Sequence, residues 1–238
     1  MYDVITFDCY GTLIDWEGGI SGAIGEAARS AGVDVRRDEV VRAYLEVEPT
    51  VQATEYRCYR DILGEAASRT AKVLGWKVEP EHAGFLADSL PGWKPFADTN
   101  AALEQLKGDG YRLGILSNID DDLLAGTLEH FSVEFDFFVT AQSVRSYKPA
   151  FAHFLKARDS LAGSSWLHAA QSYFHDILPA CELDIPVVWV NRNREALTGK
   201  ARPTGEVATL AGLVQWLRED RAPSVTGDGP TRDAGPSN

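Results

Sequence analysis

Val4-Ile5-Thr6-Phe7-Asp8-Cys9-Tyr10-Gly11-Thr12 decides how the rest of this chain is read. A short apolar run closed by a turn residue has the pattern of a strand buried on both faces. That pattern places a strand over residues 3–9. Gly11 closes it, because glycine takes backbone shapes that other residues resist. Asp8 thereby falls near the carboxyl end of the strand, with Tyr10 and Thr12 in the turn beside it. Cys9 alternates to the opposite side of the strand from Asp8, so it is not read as a nucleophile.

From about Glu17 to Leu90 the chain reads as helical. Apolar residues recur at helical spacing in Ile20, Ile24 and Ala27-Ala28, and again in Val41, Tyr44 and Leu45. Further helices are expected over 56–74 and 82–90. Pro91-Gly92-Trp93-Lys94-Pro95 breaks the pattern. Beyond it, helices over 99–108, 121–130, 150–161, 176–183 and 210–219 alternate with short apolar strands over 113–116, 137–140, 167–171 and 187–191. Such alternation predicts an α/β fold, a Rossmann-like parallel sheet with helices on both faces. The expected division is a catalytic core of residues 1–15 and 94–221, an inserted helical cap over 16–93, and a disordered tail over 222–238. The tail is assigned on its Pro, Gly, Ser and Asp content.

With 45% hydrophobic and 24% charged residues, the 238-residue chain has the make-up of a globular protein. Its net charge of −12 repels phosphate backbones and anionic lipid, which argues against nucleic acid and membrane partners. An anionic substrate would need a local positive site. Three cysteines, Cys9, Cys58 and Cys181, form no CxxC pair. They point away from a disulfide framework or zinc site and towards a reducing cytoplasm. The chain opens directly on its first strand, so no signal peptide is expected, and no apolar run approaches a membrane span.

Open parallel sheets bind ligands beyond the carboxyl ends of their strands. Asp8, Tyr10 and Thr12 follow the first strand and Ser117 and Asn118 the second. Lys148 follows the third at a distance, before Pro149, and Gln171, Ser172 and Asp176 follow the fourth. Each has an ordinary structural use. Asp8 suits a turn cap, and Ser117 or Asn118 suits a cap for the helix starting near 121. Asp120, Asp121 and Asp122 suit that helix's positive end, and Lys148 suits a solvated loop. Their joint arrival at one rim points instead to a nucleophile, a cation and a second carboxylate.

Four segments carry a resemblance: FDCYGTLIDW (7–16), ILSN (115–118), SYKP (146–149) and AQSYFHD (170–176). In this order, with a helical insert after the first, residues 1 to 195 resemble the haloacid dehalogenase superfamily. The type II 2-haloacid dehalogenases are the most similar branch. The superfamily's phosphatases carry a second Asp where Tyr10 stands and a magnesium-binding Asp where Gln171 stands. Magnesium prefers charged oxygen ligands, and halide leaves without a proton, so both differences favour the metal-free branch. The resemblance therefore implies no cofactor and no metal.

It also implies roles. Asp8 would be the nucleophile, forming an ester, with Lys148 and Asp176 as its catalytic partners. Thr12 and Ser172 would support the site by hydrogen bonds. Ser117 would grip a substrate carboxylate, Asn118 would face the departing halide, and Tyr10, Trp16 and Trp93 would wall the pocket. The substrate implied is a small organic acid, and relatives that pair raise the expectation of a homodimer. The arginine that type II enzymes place early in the cap has no match near Leu45. Arg57 or Arg60 could replace it, and Arg60 is the preferred candidate. Tyr173 stands for the family's fourth-motif Asn and Phe154 for a Tyr after the lysine, so the pocket is rebuilt. His175 is read as a packing neighbour of Asp176. The alternatives are hydrolysis of another carbon–heteroatom bond, such as a strained ring amine protonated by His175, Tyr10 or Tyr173, a divergent phosphatase, and a non-catalytic binding protein on the same fold.

Overall fold

β1 (Val4–Phe7) is enclosed along its whole length. It pairs on one side with β2 (Arg112–Ser117) and, through β2, with β3 (Phe137–Thr140). On its other side lie β4 (Trp166–Ala170), β5 (Val187–Val190) and β6 (Gly205–Val207). The computed structural model, which describes residues 2–53, 55–161 and 163–221, thus has a six-stranded parallel sheet in the order β3-β2-β1-β4-β5-β6.

Both faces are covered, and the side-chain alternation of the strands divides the core. Ile5, Phe7 and Cys9 join Leu113, Ile115, Leu167 and Ala169 on one face. Val4, Leu116 and Trp166 join Phe154 and Ile177 on the other. Cys9 accordingly lies across the strand from Asp8. Each fully buried Ile or Phe contributes on the order of 2 kcal/mol. A one-residue slip would turn every such side chain to the wrong face, so the register is firmly set. At Gly114 a β-carbon would stand 2.5 Å from the Phe137 ring, so only glycine lets β3 pack there.

Between β1 and β2 lie α1 (Trp16–Ser30), α2 (Arg37–Gln52), α3 (Tyr59–Val73) and α4 (Phe85–Ser89). They pack on one another through Ile20, Ile24, Tyr44, Val47, Ile62, Leu63 and Leu86. The helix expected over 82–90 is broken into a turn at Pro80–His82, α4, and a second turn at Leu90–Gly92. Pro80 and Pro91 lie just outside the stretch, and Gly84 stands at the break before α4.

α5 (Thr99–Gly108), α6 (Asp121–Leu128), α7 (Ala141–Val144), α8 (Ala152–Ser160), α9 (Leu178–Glu182) and α10 (Leu210–Arg221) flank the sheet. The helix expected over 176–183 begins instead with a wide turn at Tyr173–Ile177. The short α7 and the edge strand β6 have no clear apolar pattern, so the sequence does not reveal them. The expectation for 222–238 lies outside the described residues. No helix among those described is long and apolar enough to cross a membrane.

Candidate active site

The chain leaves β1 on one side of the sheet and later returns to β1 from the other, placing β4 beside it. That reversal opens a crevice at the carboxyl ends of β1 and β4. Asp8 stands there, one residue past β1 and 7% exposed. Gly11, at φ +102°, turns the chain so that Thr12 folds back and its hydroxyl donates to Asp8 Oδ2 at 3.0 Å. Thr12 Oγ1 in turn accepts from the Gln171 N–H at 2.9 Å, which ties the ends of β1 and β4 together.

Lys148 reaches Asp8 from beyond β3. Its backbone is clamped by Asn118, whose amide donates to Lys148 O at 3.0 Å and accepts from Lys148 N at 2.7 Å. The side chain is 1% exposed. Its ammonium donates to Asp8 Oδ1 at 2.9 Å, Asp176 Oδ1 at 2.6 Å and Leu116 O at 2.8 Å. An ammonium has three donors, so all are committed. Asp176 sits in the wide turn Tyr173–Ile177, whose start is capped by Ser172 accepting from the His175 N–H at 3.1 Å.

Two carboxylates thus share one buried cation. Burial and the charge of Asp176 push the Asp8 carboxyl up, against the pull of Lys148. Burial acts on Asp176 in the same sense, but Lys148 and a hydrogen bond from His168 overcome it and hold Asp176 at about 2. Lys148 is itself raised by the two carboxylates against the effect of its own burial. The ammonium therefore stays charged and Asp176 stays ionised at neutral pH.

The remaining residues singled out in the sequence divide into those that line the crevice and those that do not. Ser117 lines it, with its hydroxyl enclosed and unpartnered. Ser172 and His175 line it, bonded to each other through Oγ and Nδ1 at 3.1 Å, and burial pushes His175 down. Tyr10 offers its ring as a wall, edge-on to Trp93. Its hydroxyl lies 2.8 Å from Thr127 Oγ1. Because Thr127 donates onward to Leu123 O, Tyr10 is the donor and its proton is committed. Tyr173 likewise donates to Ala201 O.

Two expectations are corrected. Arg60 does not line the crevice. Its guanidinium, in the first turn of α3, pairs with Asp88 at 3.0 Å and Asp122 at 2.8 Å at the surface. Arg57 is likewise taken by Glu65. Asn118 lines the crevice; its amide oxygen and one of its two amide hydrogens are engaged by the Lys148 backbone, which leaves the second N–H for a ligand. Asp120 departs from its expected role at α6: it accepts from the Tyr59 and Arg60 N–H groups, both at 2.9 Å, and so caps α3.

Several residues escaped sequence reasoning. Glu48 of α2 lines the crevice, half-buried, and burial pushes its carboxyl up to about 7 against a hydrogen bond from Tyr59. Thr6, Trp166 and His168 form a buried polar chain ending on Asp176. The signal for that chain was a Thr and a His inside otherwise apolar strands, since such groups are buried only when bonded.

The crevice encloses about 480 Å³ between sheet and insert. Among the described residues its lining carries Asp8, Glu17, Glu48, Asp176 and Glu195 but a single lysine or arginine, Lys148. A divalent cation such as magnesium fits this donor set poorly. Both Asp8 oxygens and one Asp176 oxygen already accept hydrogen bonds, Gln171 is neutral, and its amide donates to Glu195 at 3.2 Å.

A protein-family model described as haloacid dehalogenase-like hydrolase matches residues 2–170. An (S)-2-haloacid dehalogenase of Pseudomonas putida is 26% identical over 227 residues, covering 90% of this chain and 95% of that one. A glyceraldehyde 3-phosphate phosphatase of Methanothermobacter thermautotrophicus is 27% identical over 239 residues, covering 92% and 99%. Among solved structures, that of a defluorinating L-2-haloacid dehalogenase shares the fold with a TM-score of 0.78 at 19% identity, covering 91% of this chain and 95% of that one.

Proposed function

Since this chain belongs to the haloacid dehalogenase-like hydrolases, we propose that it hydrolyses a carbon–halogen bond of a small 2-haloacid through an ester on Asp8. The observation that carries this reading is the buried contact of Asp8 with Lys148, beside a Tyr10 whose proton is committed elsewhere. A carboxylate can serve as a nucleophile, and a neighbouring permanent cation favours its ionised form. A tyrosine whose proton is committed elsewhere suits a leaving group that departs as a stable anion. The 26% identity to an (S)-2-haloacid dehalogenase supports the same choice.

In the first step an Asp8 oxygen attacks the carbon bearing the halogen. The new C–O bond forms as the C–halogen bond breaks, and halide leaves with the electron pair. In the second step water attacks the carbonyl carbon of the Asp8 ester. Asp176 orients that water and takes one of its protons as it attacks. As the tetrahedral intermediate collapses, Asp176 returns that proton to the departing oxygen of the hydroxy acid, and the proton left on the new Asp8 carboxyl passes to solvent. The 2-hydroxy acid departs with an oxygen that came from Asp8, and Asp8 keeps the oxygen of water. The Ser117 hydroxyl and adjacent backbone N–H groups take the substrate carboxylate, while Thr12 and Lys148 hold Asp8 in line. Loss of one such preorganised donor costs on the order of 100-fold in rate.

One observation favours a second reading. Every donor of Lys148, the one lysine or arginine lining the crevice among the described residues, is spent, and three glutamates face the space. A substrate that is itself cationic, such as a protonated strained ring amine, suits those charges better than a simple anion does. Attack of Asp8 on the adjacent carbon would release the nitrogen as a neutral amine and leave the same kind of ester on Asp8.

The test is direct. The protein is incubated with chloroacetate, L-2-chloropropionate and p-nitrophenyl phosphate, with and without EDTA. Halide release that EDTA leaves unchanged, abolished in Asp8→Asn, is the expected result. In a single turnover in oxygen-18 water, the label appears in Asp8 and not in the hydroxy acid. Phosphate release dependent on magnesium, or an active Asp8→Asn variant, refutes the proposal.

A further inference from the structure

We infer that His168 is a positioning residue whose tautomer is locked by Thr6 and Trp166, so that it holds Asp176 with its free oxygen available to the ester-opening water. The inference rests on the reading of Asp176 as the residue that orients that water.

Trp166 and His168 lie two residues apart on β4 and so share a face of the sheet. Thr6 of β1 is registered directly opposite His168, on the face that also carries Asp8. An indole N–H only donates, so Thr6 Oγ1 accepts from Trp166 Nε1 at 2.6 Å. The Thr6 hydroxyl has one proton. Its other contact is His168 Nδ1 at 2.8 Å, and donating to it leaves that nitrogen bare. The ring proton of a neutral His168 is therefore on Nε2, 3.1 Å from Asp176 Oδ1. Phe154 stands edge-on to the imidazole, with centroids 5.3 Å apart, and limits its rotation. Thr6, His168, Phe154 and Asp176 are all fully enclosed.

The consequence falls on Asp176. Its Oδ1 receives two donors, Lys148 and His168, from different directions. Its Oδ2 is buried and receives none, in a residue that lines the crevice. Two donors on one oxygen fix the plane of the carboxylate. With Lys148 alone, the group can pivot about a single contact. The donation from His168 should therefore matter to the opening of the ester and hardly at all to its formation, which Asp8 and Lys148 carry out.

The tautomer is read first, on the unaltered full chain, by long-range proton–nitrogen NMR of histidine-labelled protein. One neutral Nε2–H form of His168 is expected. Thr6→Val, which removes the hydroxyl, should admit the second tautomer. An Nδ1–H form or an imidazolium at neutral pH in the unaltered chain overturns the inference. This measurement needs no substrate, so it stands even if no haloacid is turned over.

The kinetic arm uses L-2-chloropropionate, with acid quench and intact-mass measurement of the Asp8 ester. In His168→Phe, ester formation should stay within about 3-fold, ester opening should slow on the order of 10-fold or more, and the ester should accumulate. His168→Gln, which returns an N–H near the Nε2 position, should recover most of the loss. Equal slowing of both steps, or a Gln variant no better than Phe, overturns the inference.

Discussion

Replacing Glu48 by glutamine should make this protein more stable, by an amount that depends on pH. Glu48 lines the crevice half-buried, and burial raises its carboxyl from 4.5 to about 7. A folded-state pKa above the unfolded value means that the folded protein binds the proton more tightly. Stability is therefore lost as pH rises from about 4.5 through about 7, and the full cost of the charge is present above that. Each unit is worth about 1.4 kcal/mol, so the cost at pH 8 is about 3 kcal/mol, and at pH 5 under about 1 kcal/mol. Glutamine keeps the shape and an acceptor for the Gln52 side chain, which donates to Glu48 Oε1 at 3.1 Å. It removes only the charge. For a chain of this size, about 3 kcal/mol corresponds to roughly 6 to 12 °C in melting temperature. Urea unfolding of both proteins at pH 8 and pH 5 measures the difference. A gain equal at both pH values, or a loss at pH 8, would refute the reasoning. A charge held at such a cost in a crevice marks Glu48 as a residue to test for substrate contact.

Burial pushes the His153 imidazole down to about 3, so the unfolded chain takes up a proton from about pH 6.5 downward that the native state refuses. That lowers stability by about 2 kcal/mol between pH 7 and pH 5. Glu48 offsets it in the native sequence, so the acid loss should emerge in urea curves of Glu48→Gln; a flat profile in that variant would contradict the assignment. Asp120→Ala removes both donor contacts from the start of α3 and should cost about 1 to 2 kcal/mol, read by the same unfolding assay. Arg60→Ala breaks only solvent-exposed ion pairs, each worth under about 1 kcal/mol. Its kcat/KM should stay within about 2-fold, and a 100-fold loss would return Arg60 to the substrate. Lys148→Met leaves two buried carboxylates without their cation and should destabilise by roughly 3 to 5 kcal/mol at neutral pH. Melting curves at neutral pH check it, and an unchanged midpoint would exclude a stabilising role for the triad.

The route from sequence to site was uneven. Asp8, Thr12, Lys148 and Asp176 were legible because they belong to short motifs at strand ends, and the parallel sheet brings strand ends together. Tyr10, Ser117 and Ser172 were placed at the right rim. The partner of the Tyr10 hydroxyl was not legible, because a hydrogen-bond partner such as Thr127, far along the chain, leaves no local trace. Arg60 was misplaced for a related reason. A guanidinium pairs with whatever carboxylate the fold brings near, and here α4 and α6 supply Asp88 and Asp122 at the surface. Glu48 stands out by no motif, and only the fold brings Tyr59 against its carboxylate.

What the sequence by itself determined is the succession of the longer strands and helices, α7 and β6 excepted, since that succession is written in apolar spacing that each segment carries alone. It also determined the position of Asp8, because the residue that ends a buried strand is set by the chain's own alternation. Only the tertiary structure decided which charges meet, which protons are committed and which acids are desolvated. Those depend on distances of a few ångströms between residues up to 162 positions apart, such as Thr6 and His168. Electrostatic energy in a buried site follows that separation, not the separation along the chain.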